Sequence, residues 1–142
     1  MEKAVILFNS RTGTTGKYAR EIGKYIESKG IEVHISYIQG YKYQPEILEN
    51  VDYLFLGCWT SGLMVVFQHP EAAWKEIATT LPSKPDAKLA LFTTYKILTG
   101  SMFRNMAKAL NGRFAKPSLE LKSRNGMLSD ADQIALDGFL VT

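Results

Sequence analysis

Val5-Ile6-Leu7-Phe8-Asn9-Ser10-Arg11-Thr12-Gly13-Thr14-Thr15-Gly16-Lys17 is the stretch that decides how this chain folds. It opens as an unbroken apolar run, the pattern of a strand covered on both faces. Asn9 to Gly13 then supply turn residues, and Ala19, Ile22 and Ile26 follow at the spacing of one helix face. Gly30 stands where a residue in the left-handed conformation would end that helix, and Glu32 to Ile38 reads as a second strand. Strand, helix and strand in this succession are the opening of a parallel sheet with helices on its faces.

The alternation continues to the end of the chain. Further strands are expected at Tyr53 to Cys58, Lys88 to Thr93 and Ser118 to Lys122, beside the first at Ala4 to Asn9. A short helix is expected around Glu46 to Asn50. Another should begin at Pro70, a good first-turn residue, with Trp74, Ile77, Ala78 and Leu81 on one stripe. Ser101 can cap a helix carrying Phe103, Met106 and Leu110, with Gly112 as its stop, and Ser129 with Asp130 and Asp132 reads as the start of the last. Val5 to Phe8, Tyr53 to Leu56 and Leu89 to Phe92 are continuous apolar runs, whereas Val33 to Tyr37 and Ser118 to Lys122 alternate. Strands one, three and four are therefore central, and two and five are edges. This is an α/β fold in a single domain spanning residues 1–142: a doubly wound, five-stranded parallel sheet of order 2-1-3-4-5. Such a sheet binds ligands beyond the carboxyl ends of its strands, where the strand order reverses, so the loops after Asn9, Cys58 and Thr93 are the ones to read.

In the first loop, hydroxyls of Ser10, Thr12, Thr14 and Thr15 and the amides of the first helical turn can surround a phosphate monoester, and Gly13 lets the backbone come close. The alternative is a plain capping turn. Other phosphate motifs fit poorly. A nucleoside-triphosphatase loop needs four residues between its glycine and Gly-Lys-Ser/Thr, whereas Gly13 is followed by Gly16-Lys17-Tyr18. A dinucleotide fingerprint would need a further glycine and an acid closing the second strand, where Ile38-Gln39-Gly40 stands. Cys58 lacks the downstream Arg of a cysteine phosphatase.

Ser10-Arg11-Thr12-Gly13-Thr14-Thr15 resembles the phosphate loop of the flavodoxin family, Ser/Thr-x-Thr/Ser-Gly-x-Thr. The second loop, Gly57-Cys58-Trp59-Thr60-Ser61-Gly62, is similar to the family's Gly-Cys-Ser-x-Trp-Gly, although Ser61 occupies the place of the bulky residue and Trp59 stands two earlier. Trp59 then either reaches the flavin ring or belongs to the core. Gly62 matches the glycine whose carbonyl, in the family, turns toward N5 of the reduced flavin. The third loop, Thr93 to Gly100, resembles the flavin-covering loop, with Tyr95 spaced from Gly100 as the stacking tyrosine is from its glycine; the alternative for Tyr95 is a ring lying over the sheet end. Thr94 and Tyr95 would offer backbone contacts to the pyrimidine edge. No insertion interrupts the fifth strand, so the chain is similar to the short-chain type. The resemblance implies a flavodoxin-like three-layer sandwich, non-covalent flavin mononucleotide (FMN), and one-electron transfer between a protein donor and a protein acceptor.

Composition narrows the alternatives. The chain of 142 residues is 46% hydrophobic and 22% charged, ordinary for a globular protein, and has no apolar run near the ~20 residues of a membrane span. Met1-Glu2-Lys3 leads into an apolar run too short for a signal-peptide core, so a cytoplasmic location is expected. One cysteine permits no internal disulfide and no cysteine-based zinc cluster, and His34 and His69 have no ligand pattern around them, so no metal is expected. The net charge of +3 is mild and scattered, which argues against nucleic-acid binding.

Two departures from the family stand out. Flavodoxins are usually acidic around the flavin, yet Gly57 to His69 holds no acid, the third loop has Lys96, and the first has Arg11 and Lys17. A missing negative charge near the ring is worth about 1 kcal/mol at intermediate dielectric, or roughly 40 mV, so the potential of the second one-electron step should lie above the family's usual range. Gly62-Leu63-Met64-Val65-Val66-Phe67 is nearly apolar and would cover the flavin, dock a partner, or pack beneath the third helix. An electron carrier is the expected function, since a chain this short leaves little room for a second substrate pocket. The alternative is a small FMN-dependent NAD(P)H:quinone oxidoreductase.

Overall fold

A computed structural model of the chain describes residues 2–8, 13–37, 45–61, 69–70, 87–95, 102–110 and 117–140. In chain order the elements are β1 (Lys3–Phe8), α1 (Thr14–Glu27), β2 (Glu32–Tyr37), a 3-10 turn (Pro45–Leu48), β3 (Tyr53–Ser61), β4 (His69–Pro70), β5 (Lys88–Thr94), α2 (Met102–Ala109), β6 (Leu119–Ser123) and α3 (Asp130–Phe139). The sheet runs β2-β1-β3-β5-β6 with all four pairings parallel, and β4 adds antiparallel to the end of β3. Counted over the parallel strands alone, this is the expected order 2-1-3-4-5.

Burial explains the order. Ala4 to Phe8, Tyr53 to Cys58 and Leu89 to Thr94 are buried throughout, while β2 is exposed or half-buried along its length and β6 alternates. Side chains of successive strand residues go to opposite faces. Ala4, Ile6, Phe55, Ala90 and Phe92 meet Tyr18, Ala19, Ile22 and Ile26 of α1 and Leu136 and Phe139 of α3. Val5, Leu7, Leu54, Leu56, Leu89 and Leu91 meet Met102, Met106 and Leu110 of α2 and its end. The two cores are continuous only through the sheet, which is what a three-layer arrangement requires.

Gly57 marks the tightest place in the first core. It pairs with Phe92 across β3 and β5, and a Cβ there would come within 2.2 Å of the Phe92 ring. Only a residue without a side chain lets that aromatic lie flat against the strand. The ring is fully buried and makes an edge contact with Tyr18, centroids 6.0 Å apart.

Beyond single-residue shifts at strand ends, the local structure differs in three places. β3 continues to Ser61 rather than stopping at Cys58, because Trp59 still pairs with Thr94 and Thr60 and Ser61 pair with Pro70 and His69. Pro70, expected in the first turn of a helix, stands in that two-residue edge strand, a position that tolerates a residue without an N–H. The remainder of that expected helix, Glu71 to Leu81, lies outside the described residues, as does Gly112. The segment expected as a short helix is a 3-10 turn ending before Asn50, which has φ 59°; asparagine is among the residues that tolerate this region.

Candidate functional site

The carboxyl ends of β1, β3, β5 and β6 lie side by side, and the start of α1 sits over them. Gly13 is the N-cap of α1, in the left-handed region at φ 90°, and no side chain caps the helix. The first turn has no acid either. Neither a cap side chain nor an acid of the first turn thus meets the positive end of the helix dipole. The start of α3 is built the opposite way: the Asp132 amide donates to Ser129 Oγ at 3.0 Å, and the Ser129 amide donates to Asp132 Oδ2 at 3.2 Å. A full capping box closes the start of α3, whereas the start of α1 has a glycine at the cap. A Cβ on Gly13 would meet nothing within 4 Å among the described residues.

Thr15 joins this helix start to the sheet. Its Oγ1 lies 2.6 Å from Thr94 Oγ1, at the last residue of β5, in the interior. Thr15 is 1% and Thr94 5% exposed. One hydroxyl donates to the other, and a hydroxyl carries a single hydrogen. The accepting threonine thus keeps its own O–H for a third group. Next to it, Thr93 Oγ1 donates to the Cys58 carbonyl at 2.6 Å, tying the ends of β3 and β5 together.

Tyr95 follows Thr94 directly and is half-buried. Its amide donates to the Ser123 carbonyl at 3.2 Å, extending the pairing of β5 with β6 by one residue. Two cations lie over its ring: Lys122 Nζ at 5.9 Å and Arg124 Cζ at 5.4 Å from the centroid. The turn that carries Arg124 is ordered by its own polar groups, with the Gly126 amide donating to Ser123 Oγ at 3.0 Å and the Met127 amide to Asn125 Oδ1 at 2.9 Å. Gly126, at φ 78°, is pressed against α1; a Cβ there would come within 2.8 Å of the Thr14 carbonyl oxygen. The turn after β6 and the first turn of α1 are in direct contact.

Tyr18 braces the same corner from below. Its hydroxyl donates to Asp132 Oδ2 at 2.8 Å, so one carboxylate holds both the start of α3 and a tyrosine of α1. Burial, and then the charge of Asp132, push the Tyr18 phenol well above its usual value.

The structure accordingly brings Gly13, Thr14 and Thr15 together with Thr94 and Tyr95. Cys58 is fully buried, with its side chain in the core layer of Leu56 and Met102. Trp59, Thr60 and Ser61 belong to β3. Ser10, Arg11, Thr12, Gly62 and Gly100 lie outside the described residues. Lys122, Arg124 and the turn to Gly126 were not anticipated from the sequence, although Asn125-Gly126 after a strand is a turn signal and the fifth strand end adjoins the switch point.

The arrangement suits a phosphate ester bearing a flat aromatic group. A helix start with a glycine cap and no acid in its first turn fits a phosphate dianion, and Tyr95, at the strand end two strands away from β1, adds an aromatic side chain at the same end of the sheet. Among the described residues no group of His, Cys, Asp and Glu could hold a metal ion, and no helix is long and apolar enough to cross a membrane.

Comparison with known proteins agrees with the fold. The flavodoxin family profile matches residues 6–133. No curated protein matches the sequence. Among solved structures, the chain is similar to the rubredoxin:oxygen oxidoreductase of Desulfovibrio gigas at a TM-score of 0.71 and 17% identity, covering 98% of this chain and 34% of that one. The chain thus spans about a third of that oxidoreductase. It is also similar to the two-electron-reduced flavodoxin of Megasphaera elsdenii, at a TM-score of 0.71 and 18% identity, covering 97% of this chain and 99% of that one. Flavodoxin 1 of Bacillus cereus gives a TM-score of 0.66 and 21% identity over 97% of this chain and 95% of its own. At these identities the likeness to solved structures shows the fold, and the family profile, which spans most of the chain, shows the kinship: the chain belongs to the flavodoxin family, and its cofactor is FMN.

Proposed function

We propose that this chain is a one-electron carrier between two protein partners, with the FMN phosphate at the start of α1 and the flavin ring at Tyr95. The observation that carries the reading is the start of α1, capped by a left-handed glycine, free of acid in its first turn, and bonded through Thr15 to the residue preceding Tyr95. When bound, FMN supplies the reversible redox chemistry. The chain supplies binding, orientation and the local field. Ser10, Arg11, Thr12, Gly13, Thr14 and Thr15 would hold the phosphate. Thr94, Tyr95 and Gly100 on one side, and the segment Cys58, Trp59, Thr60, Ser61 and Gly62 on the other, would enclose the ring. The spare hydroxyl hydrogen of the Thr15–Thr94 pair supports a polar contact at their junction.

Redox titration of the purified FMN-loaded protein tests the function. Two separate one-electron potentials, the second above the range of acidic flavodoxins, are expected, together with no direct reduction by NADH or NADPH. Rapid flavin reduction by a nicotinamide alone would overturn the carrier in favour of the reductase.

A further inference from the structure

The contact between Thr15 and Thr94 holds more hydrogen than it uses. Their Oγ1 atoms stand 2.6 Å apart, and among the described residues this is the one hydrogen bond that either hydroxyl makes. Thr15 is 1% and Thr94 5% exposed, so bulk water hardly reaches them. The bond uses one of the two hydroxyl hydrogens. The other stays buried without an acceptor, which is costly and points to an acceptor that arrives with a ligand.

The positions of the two threonines decide which hydroxyl gives that hydrogen away. Thr15 is the second residue of α1, beside the glycine cap, with no acid in the first turn. The positive end of the helix dipole favours an anion there, and a phosphate dianion can only accept hydrogen bonds. Thr94 is the last residue of β5 and pairs with Ser123 of β6. Beside it, Thr93 Oγ1 donates to the Cys58 carbonyl and ties this strand end to β3. The Thr94 hydroxyl meets α1 through Thr15.

We propose that Thr94 is a positioning residue for the FMN phosphate: its hydroxyl donates to Thr15 Oγ1, and the Thr15 hydrogen is thereby held for the phosphate. The inference rests on the reading that the phosphate sits at the start of α1. A hydroxyl that already accepts a bond donates more strongly. A side chain fixed in this way also has fewer orientations to lose when the ligand arrives. The end of β5 thus serves the phosphate without touching it.

The test titrates the flavin-free chain with FMN and with riboflavin, which lacks the phosphate, and reads the ratio of the two affinities. Thr94→Val should lower that ratio about ten-fold. Thr94→Ser, which keeps the donor, should hold it near that of the unaltered chain. Thr15→Val should lower the ratio at least as far, and adding Thr94→Val to it should lower it no further, since Thr94 acts through Thr15. An unchanged ratio in Thr94→Val, an equal loss for both flavins, or additive losses in the double variant would overturn the proposal. The unaltered protein gives a second readout that depends on no variant folding. With FMN bound, the Thr15 hydroxyl proton should show scalar coupling to the phosphorus and the Thr94 hydroxyl proton none; coupling from Thr94, or from neither, would contradict the assigned direction. An unaltered chain that binds both flavins equally would remove the phosphate reading and this inference with it, whereas discrimination that survives Thr94→Val would remove the role of Thr94 alone.

Discussion

Thr15 Oγ1 and Thr94 Oγ1 meet at 2.6 Å inside the protein, one from the first turn of α1 and the other from the last residue of β5. Seventy-nine residues separate them in the chain. This single contact couples the two loops that are expected to hold opposite ends of one ligand, and a buried hydroxyl pair is costly to break on one side only. Replacing one threonine by valine leaves the other hydroxyl buried without that partner, at about 1–3 kcal/mol. Thr15→Val and Thr94→Val should each lose stability in this range, whereas the double variant should recover most of it. A double-mutant cycle in urea measures the coupling; additive losses would show that the contact does not bind the loops together.

The turn after β6 is a structural support of the same site. Gly126→Ala faces both an unfavourable φ of 78° and a Cβ within 2.8 Å of the Thr14 carbonyl oxygen, which is backbone and cannot swing away. Gly13→Ala faces the unfavourable φ of 90°, with no described atom within 4 Å of its Cβ. Gly13→Ala should cost about 1–2 kcal/mol and Gly126→Ala clearly more, as read from denaturation midpoints of the flavin-free chain. Equal losses would mean that the turn does not bear on α1.

Much of this was legible in the residues themselves. The unbroken apolar runs at Val5, Tyr53 and Leu89 mark the strands buried on both faces, and the alternating runs at Val33 and Ser118 mark the edges. Thr14 as a helix start and Ser129 as a cap follow from local chemistry. What lay beyond such reading came from tertiary pairing. Trp59 to Ser61 look like loop because a glycine and hydroxyl residues surround them, yet Thr94 and β4 supply partners that keep them in the strand. Thr15 was expected to turn toward a phosphate, and no periodicity could have revealed its bond to Thr94. Lys122 has the look of a solvated edge residue until the pairing of β5 with β6 sets it beside Tyr95.

Two buried phenols make the fold sensitive to alkali. Tyr18 is raised above its usual value near 10 chiefly by burial and then by the charge of Asp132. Tyr53 is raised by burial and by its 2.7 Å hydrogen bond to Glu2. Above pH 10 the unfolded chain loses these protons while the native state holds them more tightly, so stability is full below about pH 10 and falls above it. Denaturation midpoints between pH 9 and 12 should decline, and Tyr18→Phe should flatten the decline. An unchanged slope in that variant would remove Tyr18 from the account.

The central claim is that the start of α1 holds the phosphate of FMN. Titrating the flavin-free chain with FMN and with riboflavin, which differ only in that phosphate, tests it most directly. FMN should bind at least about 100-fold more tightly, the yield of roughly 2.7 kcal/mol from charge-assisted bonds to the dianion. Equal affinity for the two flavins would contradict the claim.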